Sequence, residues 1–235
     1  MALTSTESII IKGLKFRESS KIITLYSRDF GKFSAIIKGS RSHKSPFSSS
    51  VDTMNHVNLF FNKKENRDLQ IINKVECIEH YTGIKQSLEK LEISYKVLSL
   101  INKVTYEYLK NIEIFNILKE TMNLLNESSK NLDLIFLKFQ YLIMKHSGIE
   151  PSIIKESNDI VGENKNKETF YSENSLYINR KENKLLYSLL DKSDLEIIKY
   201  EIKTVNELEK KLYRIISNTL NYPEYTFINK NISIT

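Results

Sequence analysis

The sequence predicts an α+β chain, a small all-β unit followed by a mostly helical one, and three observations carry that reading. From Ser5 to Tyr81 the apolar residues recur in short runs separated by polar breaks, the pattern of half-buried strands. Beyond Tyr81 they recur at spacings of three and four, the period of an amphipathic helix. The positive charge is also uneven: residues 1–80 hold 13 Lys and Arg against 8 Asp and Glu, and the rest holds 22 against 21. A basic first third beside a nearly neutral remainder is expected where the first part meets a polyanion.

Strands are predicted near 6–15, 20–27, 32–39, 52–61 and 68–79. Asp29-Phe30-Gly31-Lys32 puts a glycine where a tight hairpin needs positive φ, and Asn62-Lys63-Lys64-Glu65-Asn66 is a polar loop between two β-rich runs. Five short strands in about 75 residues match a small Greek-key barrel of the OB type. An SH3-like barrel is the closest structural alternative.

Ile84, Leu88, Leu91, Tyr95, Leu98 and Ile101 predict a long helix over 84–109. Two more are predicted over 112–126 and 131–147, the second stopped by Gly148 and Pro151. Apolar on most faces, Leu132 to Met144 should lie at the centre of the helical part. Residues 150–183 break the pattern, and Thr169-Phe170-Tyr171 and Leu176-Tyr177-Ile178 flank Ser172 to Ser175 like a hairpin. Helices resume near 183–190, 194–201 and 205–221, with Ser193…Glu196 and Thr204…Glu207 spaced as capping boxes, and the chain beyond Tyr222 reads as loosely structured. The expected division is a nucleic-acid-binding barrel over 1–80 and a helical partner-binding domain over 81–235.

With 40% apolar residues among 235, the chain has material for substantial cores. A lone cysteine, Cys77, forms no internal disulfide and suits a reducing cytoplasm. Neither a basic leader followed by an apolar core nor a run approaching 18 apolar residues is seen, so a soluble protein is expected.

Nine basic residues stand between Lys12 and Lys44 against two acidic ones: Lys12, Lys15, Arg17, Lys21, Arg28, Lys32, Lys38, Arg41 and Lys44. On a folded sheet and its turns they would displace counterions from a phosphate backbone. Phe16, Phe33 and Phe47 lie among them, where an aromatic either stacks on an unpaired base or faces the barrel core. Each ring taken singly reads as core; the basic cluster taken as a group reads as functional.

Patterns for catalysis and cofactors are missing. Cys77 and His80 have C-x-x-H spacing without two further ligands, so no metal is predicted. Ser48-Ser49-Ser50 has no nucleophile elbow, and no phosphate-binding G-x-x-x-x-G-K-[ST] loop occurs. Carboxylate pairs such as Glu18/Asp29 or Asp52/Glu65 would be needed for a magnesium-dependent nuclease, and chance supplies such pairs among 29 acidic residues. Neither an enzyme nor a cofactor is expected.

Phe16-Arg17-Glu18-Ser19-Ser20, Leu25 through Lys32, Lys38-Gly39-Ser40-Arg41 and Pro46-Phe47 resemble, in order and spacing, the bacterial recombination mediator family RecO. Leu137 through Leu142, His146, Gly148 and Pro151 look like that family's central helix and its exit. The resemblance implies an OB-fold barrel joined to a helical domain, and an activity of binding rather than bond breaking in the DNA repair and recombination of the RecFOR pathway. It implies binding of single- and double-stranded DNA, annealing of complementary strands, and RecA loading on coated DNA. The implied partners are RecR, RecF and the acidic, apolar C-terminal tail of the single-stranded-DNA-binding protein, in a bacterial cytoplasm at the nucleoid. By position the family's DNA-facing cations fall on Arg17, Arg28, Lys38, Arg41 and Lys44, and a tail-binding cation on Lys138 beside Phe139. Residues 150–183 contain no cysteine, so the family's four-cysteine zinc site is not implied. The chain's end around Asn221-Tyr222-Pro223-Glu224 also lacks that family's basic character. A non-enzymatic adaptor for an acidic protein partner is the alternative from another class.

Overall fold

The structure, a computed structural model, describes residues 3–41, 47, 49–65, 67–149, 152–155, 175–191, 195 and 198–220. All five predicted strands are present: β1 (Leu3–Phe16), β2 (Ser20–Ser27), β3 (Gly31–Ile37), β4 (His56–Asn62) and β5 (Leu69–Glu79). They close into a barrel in the order β1-β2-β3-β5-β4. Every neighbouring pair is antiparallel except β3 and β5, which run parallel. This is the five-stranded Greek-key closure of an OB fold, and it decides against the SH3-like alternative.

β1 is 14 residues long because it serves both halves of the barrel. Its first part pairs with β4 and its second with β2, with a register shift between Ile10 and Lys12 that bends the strand around the corner. Side chains alternate across the wall. In β3, Phe33, Ala35 and Ile37 point into the barrel, while Lys32, Ser34 and Ile36 point out and are only half-buried.

The barrel's outer wall is itself a packing surface. Ile9, Ile11, Tyr26 and Met54 belong to the helical core, not to the barrel interior. The helices against them are α1 (Thr82–Lys85), α2 (Leu88–Val104), α3 (Ile112–Glu127), α4 (Leu132–His146), α5 (Arg180–Asp191) and α6 (Ile202–Thr219). α4 buries ten of its 15 residues and packs on α2, α3, α5 and α6, as its all-round apolar character requires.

Three sequence expectations are corrected. The helix predicted over 84–109 is broken at Gln86-Ser87, where the Ser87 hydroxyl accepts from the Lys90 amide and starts α2 afresh. It stops at Val104, because Thr105 turns extended and donates its hydroxyl to the Ile101 carbonyl at 2.6 Å. Ser175–Ile178 is a strand, β7, and it pairs in parallel with β6 (Ser152–Lys155); the other arm of the predicted hairpin, Thr169–Tyr171, lies outside the described residues. No helix continues through 198–201.

Thr204 lies inside α6, whose first turn is preceded by Glu201, so it caps nothing; Ser193 and Glu196 are outside the described residues. A reciprocal capping box instead opens α5, where Asn179 Oδ1 accepts from the Glu182 amide at 3.0 Å and Glu182 Oε2 accepts from the Asn179 amide at 2.8 Å. Among the described residues no helix is long and apolar enough to cross a membrane.

Candidate nucleic-acid interface

An OB barrel meets its ligand on the outer face of β2 and β3, between the loop joining β1 to β2 and the loop joining β4 to β5. Here those loops are 17–19 and 63–68. The register across the face pairs Lys12 with Thr24 and Thr24 with Ser34, then Leu14 with Ile22, Ile22 with Ile36 and Ile36 with Ile71. A polar row with one cation thus runs beside an apolar row. Leu14 is 53% exposed, an open apolar surface on which a base could lie.

The first loop is fastened to the turn after β3. Arg41 donates its amide to the Ser19 carbonyl at 2.9 Å and its Nη1 to the Arg17 carbonyl at 3.1 Å. Arg17 holds a left-handed backbone (φ +51°), with its guanidinium over the Phe16 ring at 5.2 Å. Gly39 at φ +69° lets the adjoining turn close, with open space where a β-carbon would stand. The fastening gathers exposed Arg17, Lys38 and Arg41 at one end of the barrel, with exposed Lys15 and Lys12 on the strand leading there. Among the described residues Lys12, Lys15 and Lys38 have no hydrogen-bond or ion-pair partner. Lys44 lies outside the described residues.

Three of the sequence-selected cations stand elsewhere. Lys21 turns inward, donating to the Val51 carbonyl at 2.7 Å and pairing with Asp52 at 3.2 Å, its stem lying over Gly13 where a β-carbon would collide. Lys32 faces the helices and donates to the Asn102 carbonyl at 2.6 Å, and burial, opposed by Glu107, holds its ammonium below the ordinary 10.5. Arg28 sits on the β2–β3 turn, 3.8 Å from Glu7. Lys32 therefore joins barrel to helices and Arg28 pairs within the barrel, whereas the charge available to a ligand collects around 12–17 and 38–41.

Of the phenylalanines, Phe33 is wholly buried and Phe47 packs on the barrel core, while Phe16 lies half-buried beneath Arg17. The carboxylate pairs do not assemble. Glu18 and Asp29 occupy turns at opposite ends of β2, Asp29 receiving the Thr6 hydroxyl at 2.8 Å, and Asp52 is held by Lys21. Cys77 Sγ lies 3.8 Å from the His56 carbonyl, while His80 Nδ1 lies 3.4 Å from Asn55 Nδ2. Burial raises the Cys77 thiol above its ordinary value, which lowers its reactivity. No group of three or more His, Cys, Asp or Glu able to hold a metal occurs among the described residues.

Sequence reasoning missed the second loop. Lys63, Lys64 and Arg67 stand there, Lys63 with its ammonium 5.0 Å from the Phe30 ring centre. The signal was present as two adjacent lysines between strands, but the loop reads as merely polar until the barrel order shows which loops flank the face.

In the helical part, Lys138 and Phe139 line a small cleft between α3 and α4, with Ile117, Glu120, Thr121 and Leu124 opposite. Lys138 is half-buried at the rim; Phe139 is 1% exposed and forms the floor.

The profile of the family described as Recombination protein O N terminal, an OB-fold domain, matches residues 1–81. The chain is similar to the DNA repair protein RecO of Chlorobium phaeobacteroides (strain BS1), 35% identical over 151 residues, which are 64% of this chain and 58% of that protein. It is 28% identical to that of Chlorobium limicola over the same shares, and 26% identical to that of Alkaliphilus metalliredigens over 64% of this chain and 61% of the relative. Each match thus spans about three fifths of the relative's length. The barrel order and the matched profile make residues 1–81 a RecO N-terminal OB-fold domain, in a chain similar over 151 residues to RecO proteins.

Proposed function

We propose that this chain is a non-enzymatic DNA-binding recombination mediator for DNA repair. The observation that carries the reading is the end of the OB barrel where Arg17, Lys38 and Arg41 are drawn together by the Arg41 contacts to 17–19, with Lys12 and Lys15 beside them. Single strands lie across β2 and β3 with their phosphates on these cations. Neutralised in this way, two complementary strands approach and anneal, and duplex DNA is held through the same phosphates. The names of the relatives support a role in DNA repair.

The helical part recruits protein partners: RecR, RecF and the tail of the single-stranded-DNA-binding protein, so that RecA is loaded on coated DNA. The α3–α4 cleft suits that tail, since its floor is apolar and Lys138 at its rim matches a terminal carboxylate.

The test is fluorescence anisotropy of labelled single-stranded DNA across a salt series. The logarithm of affinity should fall with the logarithm of salt, by about 0.7 for each phosphate contacted. Lys38→Glu is the clean variant, because Lys38 has no partner among the described residues to lose. Affinity that is flat with salt and unchanged in Lys38→Glu and Arg17→Glu would reject the reading, and no binding at any salt would favour an adaptor for an acidic protein.

A further inference from the structure

We propose that Tyr108 is a stacking platform for an unpaired nucleobase, set beside the β4–β5 loop and extending the strand path from the barrel face onto the segment between α2 and α3. The proposal rests on the single-strand binding argued above and adds a site outside the basic run.

The ring is fixed from several directions. It lies nearly parallel to Phe33, with centroids 6.0 Å apart and planes at 15°, and Phe33 is wholly buried against Phe61 at 5.5 Å. Its hydroxyl donates to the Arg67 carbonyl at 3.3 Å and lies 3.3 Å from Gln70 Nε2. Gln70 is 1% exposed, and its amide is bound to the loop through Lys64 N, Lys64 O and Arg67 O. The Tyr108 amide donates to the Lys32 carbonyl at 2.8 Å. Ring, barrel wall and β4–β5 loop therefore form one connected unit.

Despite this anchoring, Tyr108 is 40% exposed and holds a left-handed backbone at φ +56°, which is uncommon for a bulky residue. A side chain that only closed the barrel mouth would sink its ring. This one instead has one face on Phe33 and much of its surface in solvent. A preorganised aromatic face is what a base stacks on without further ordering cost. Cations for the adjoining phosphates are at hand: exposed Lys63 and Arg67, with half-buried Lys64, against Glu65 and Asp68 in the loop. Glu107 lies within Coulomb range of the Lys32 ammonium. Bases in a duplex have both faces covered, so the ligand is an unpaired base.

The chain contains no tryptophan, so Tyr108→Trp installs a unique reporter. Oligo(dT) should quench its emission with the same stoichiometry as binding seen by anisotropy, and an abasic strand of equal length should bind without quenching. Tyr108→Leu, which still fills the barrel mouth, should lose between about fivefold and a hundredfold in affinity for oligo(dT) with the salt slope unchanged, and nothing for the abasic strand. Binding of oligo(dT) with neither quenching nor loss would overturn the platform. If oligo(dT) does not bind the native chain at all, the strand-binding reading itself has failed, and the platform with it. Quenching by a proline-rich peptide and not by oligo(dT) would assign the ring to a protein partner. Should either variant fail to fold, photocrosslinking of the native chain to a 5-iodouracil strand decides: an adduct on Tyr108 supports the platform and adducts only elsewhere reject it.

Discussion

Lys119 on α3 holds its ammonium 2.8 Å from Oε1 of Glu7 on β1, and the same oxygen lies 2.8 Å from Nε2 of the buried His56. The imidazole approach is not aligned as a hydrogen bond, so the histidine acts as an electrostatic neighbour while the lysine makes the bond. Partial burial works to raise the Glu7 carboxyl, but the Lys119 hydrogen bond and the charges of His56 and Lys119 outweigh it and hold the group below its ordinary 4.5. Burial, opposed by Glu7, holds His56 below its ordinary 6.5. Both native values lie under the unfolded ones, so the unfolded chain binds more protons in each window and stability rises with pH there. Thermal unfolding should therefore show full stability above about pH 6.5 and a loss as pH falls, first through His56 and then below 4.5 through Glu7. His56→Leu should flatten the upper part of that curve and reduce the lower part to what Lys119 sustains.

Gly31 is required twice over. Its φ is +68°, and a β-carbon there would run into the carbonyl of Leu109 and the amide of Lys110, backbone atoms that cannot swing aside. Gly31→Ala should cost about 2 kcal/mol or more, read as a fall in the denaturation midpoint. Gly39→Ala is the control. Its φ is +69° with open space around it, so only the backbone conformation is penalised and the cost should be about 1 kcal/mol.

Lys32 separates fastening from ligand binding. Its ammonium is committed to the Asn102 carbonyl at the end of α2, so Lys32→Met should lower stability by about 1 kcal/mol and leave both DNA affinity and its salt slope unchanged. A slope reduced by about 0.7 in Lys32→Met would instead return this residue to the phosphate-binding set.

Much of the fold could be read from the chain because its signals are local. Alternation in residues such as Phe33, Ala35 and Ile37 marks strands, and the change of period after Tyr81 marks the helices. What could not be read is set by distant neighbours. Nothing near Lys21 announces that Val51 and Asp52 will claim it, nor that Asn102 will claim Lys32, so a count of charge along β1 to β3 overstates the surface available to a ligand. Residues 105–109 read as the tail of the helix predicted over 84–109; Tyr108, stacked on Phe33, follows the barrel instead. The parallel pairing of β6 with β7 joins segments distant in sequence, whereas the local pattern around Ser172 to Ser175 reads as a hairpin.

The α3–α4 cleft offers a prediction in which two neighbouring charges act in opposite senses. Lys138 and Glu120 both line it; a peptide with acidic residues, an apolar last residue and a free carboxylate is attracted by the first and repelled by the second. Lys138→Ala should weaken binding of such a peptide about three- to tenfold, as loss of one charge-assisted hydrogen bond implies, and Glu120→Gln should strengthen it by a smaller factor. Both effects should shrink with salt, and neither variant should alter affinity for single-stranded DNA, whose proposed contacts lie on the barrel. Phe139 is no substitute for these variants. It is 1% exposed and packs at 6.4 Å on Phe136, so Phe139→Ala would cost about 3–5 kcal/mol of stability and a loss of peptide binding would report unfolding. The informative comparison is a calorimetric titration of the peptide into native chain, Lys138→Ala and Glu120→Gln at two salt concentrations. Equal affinities for all three would remove the cleft from the partner-binding surface.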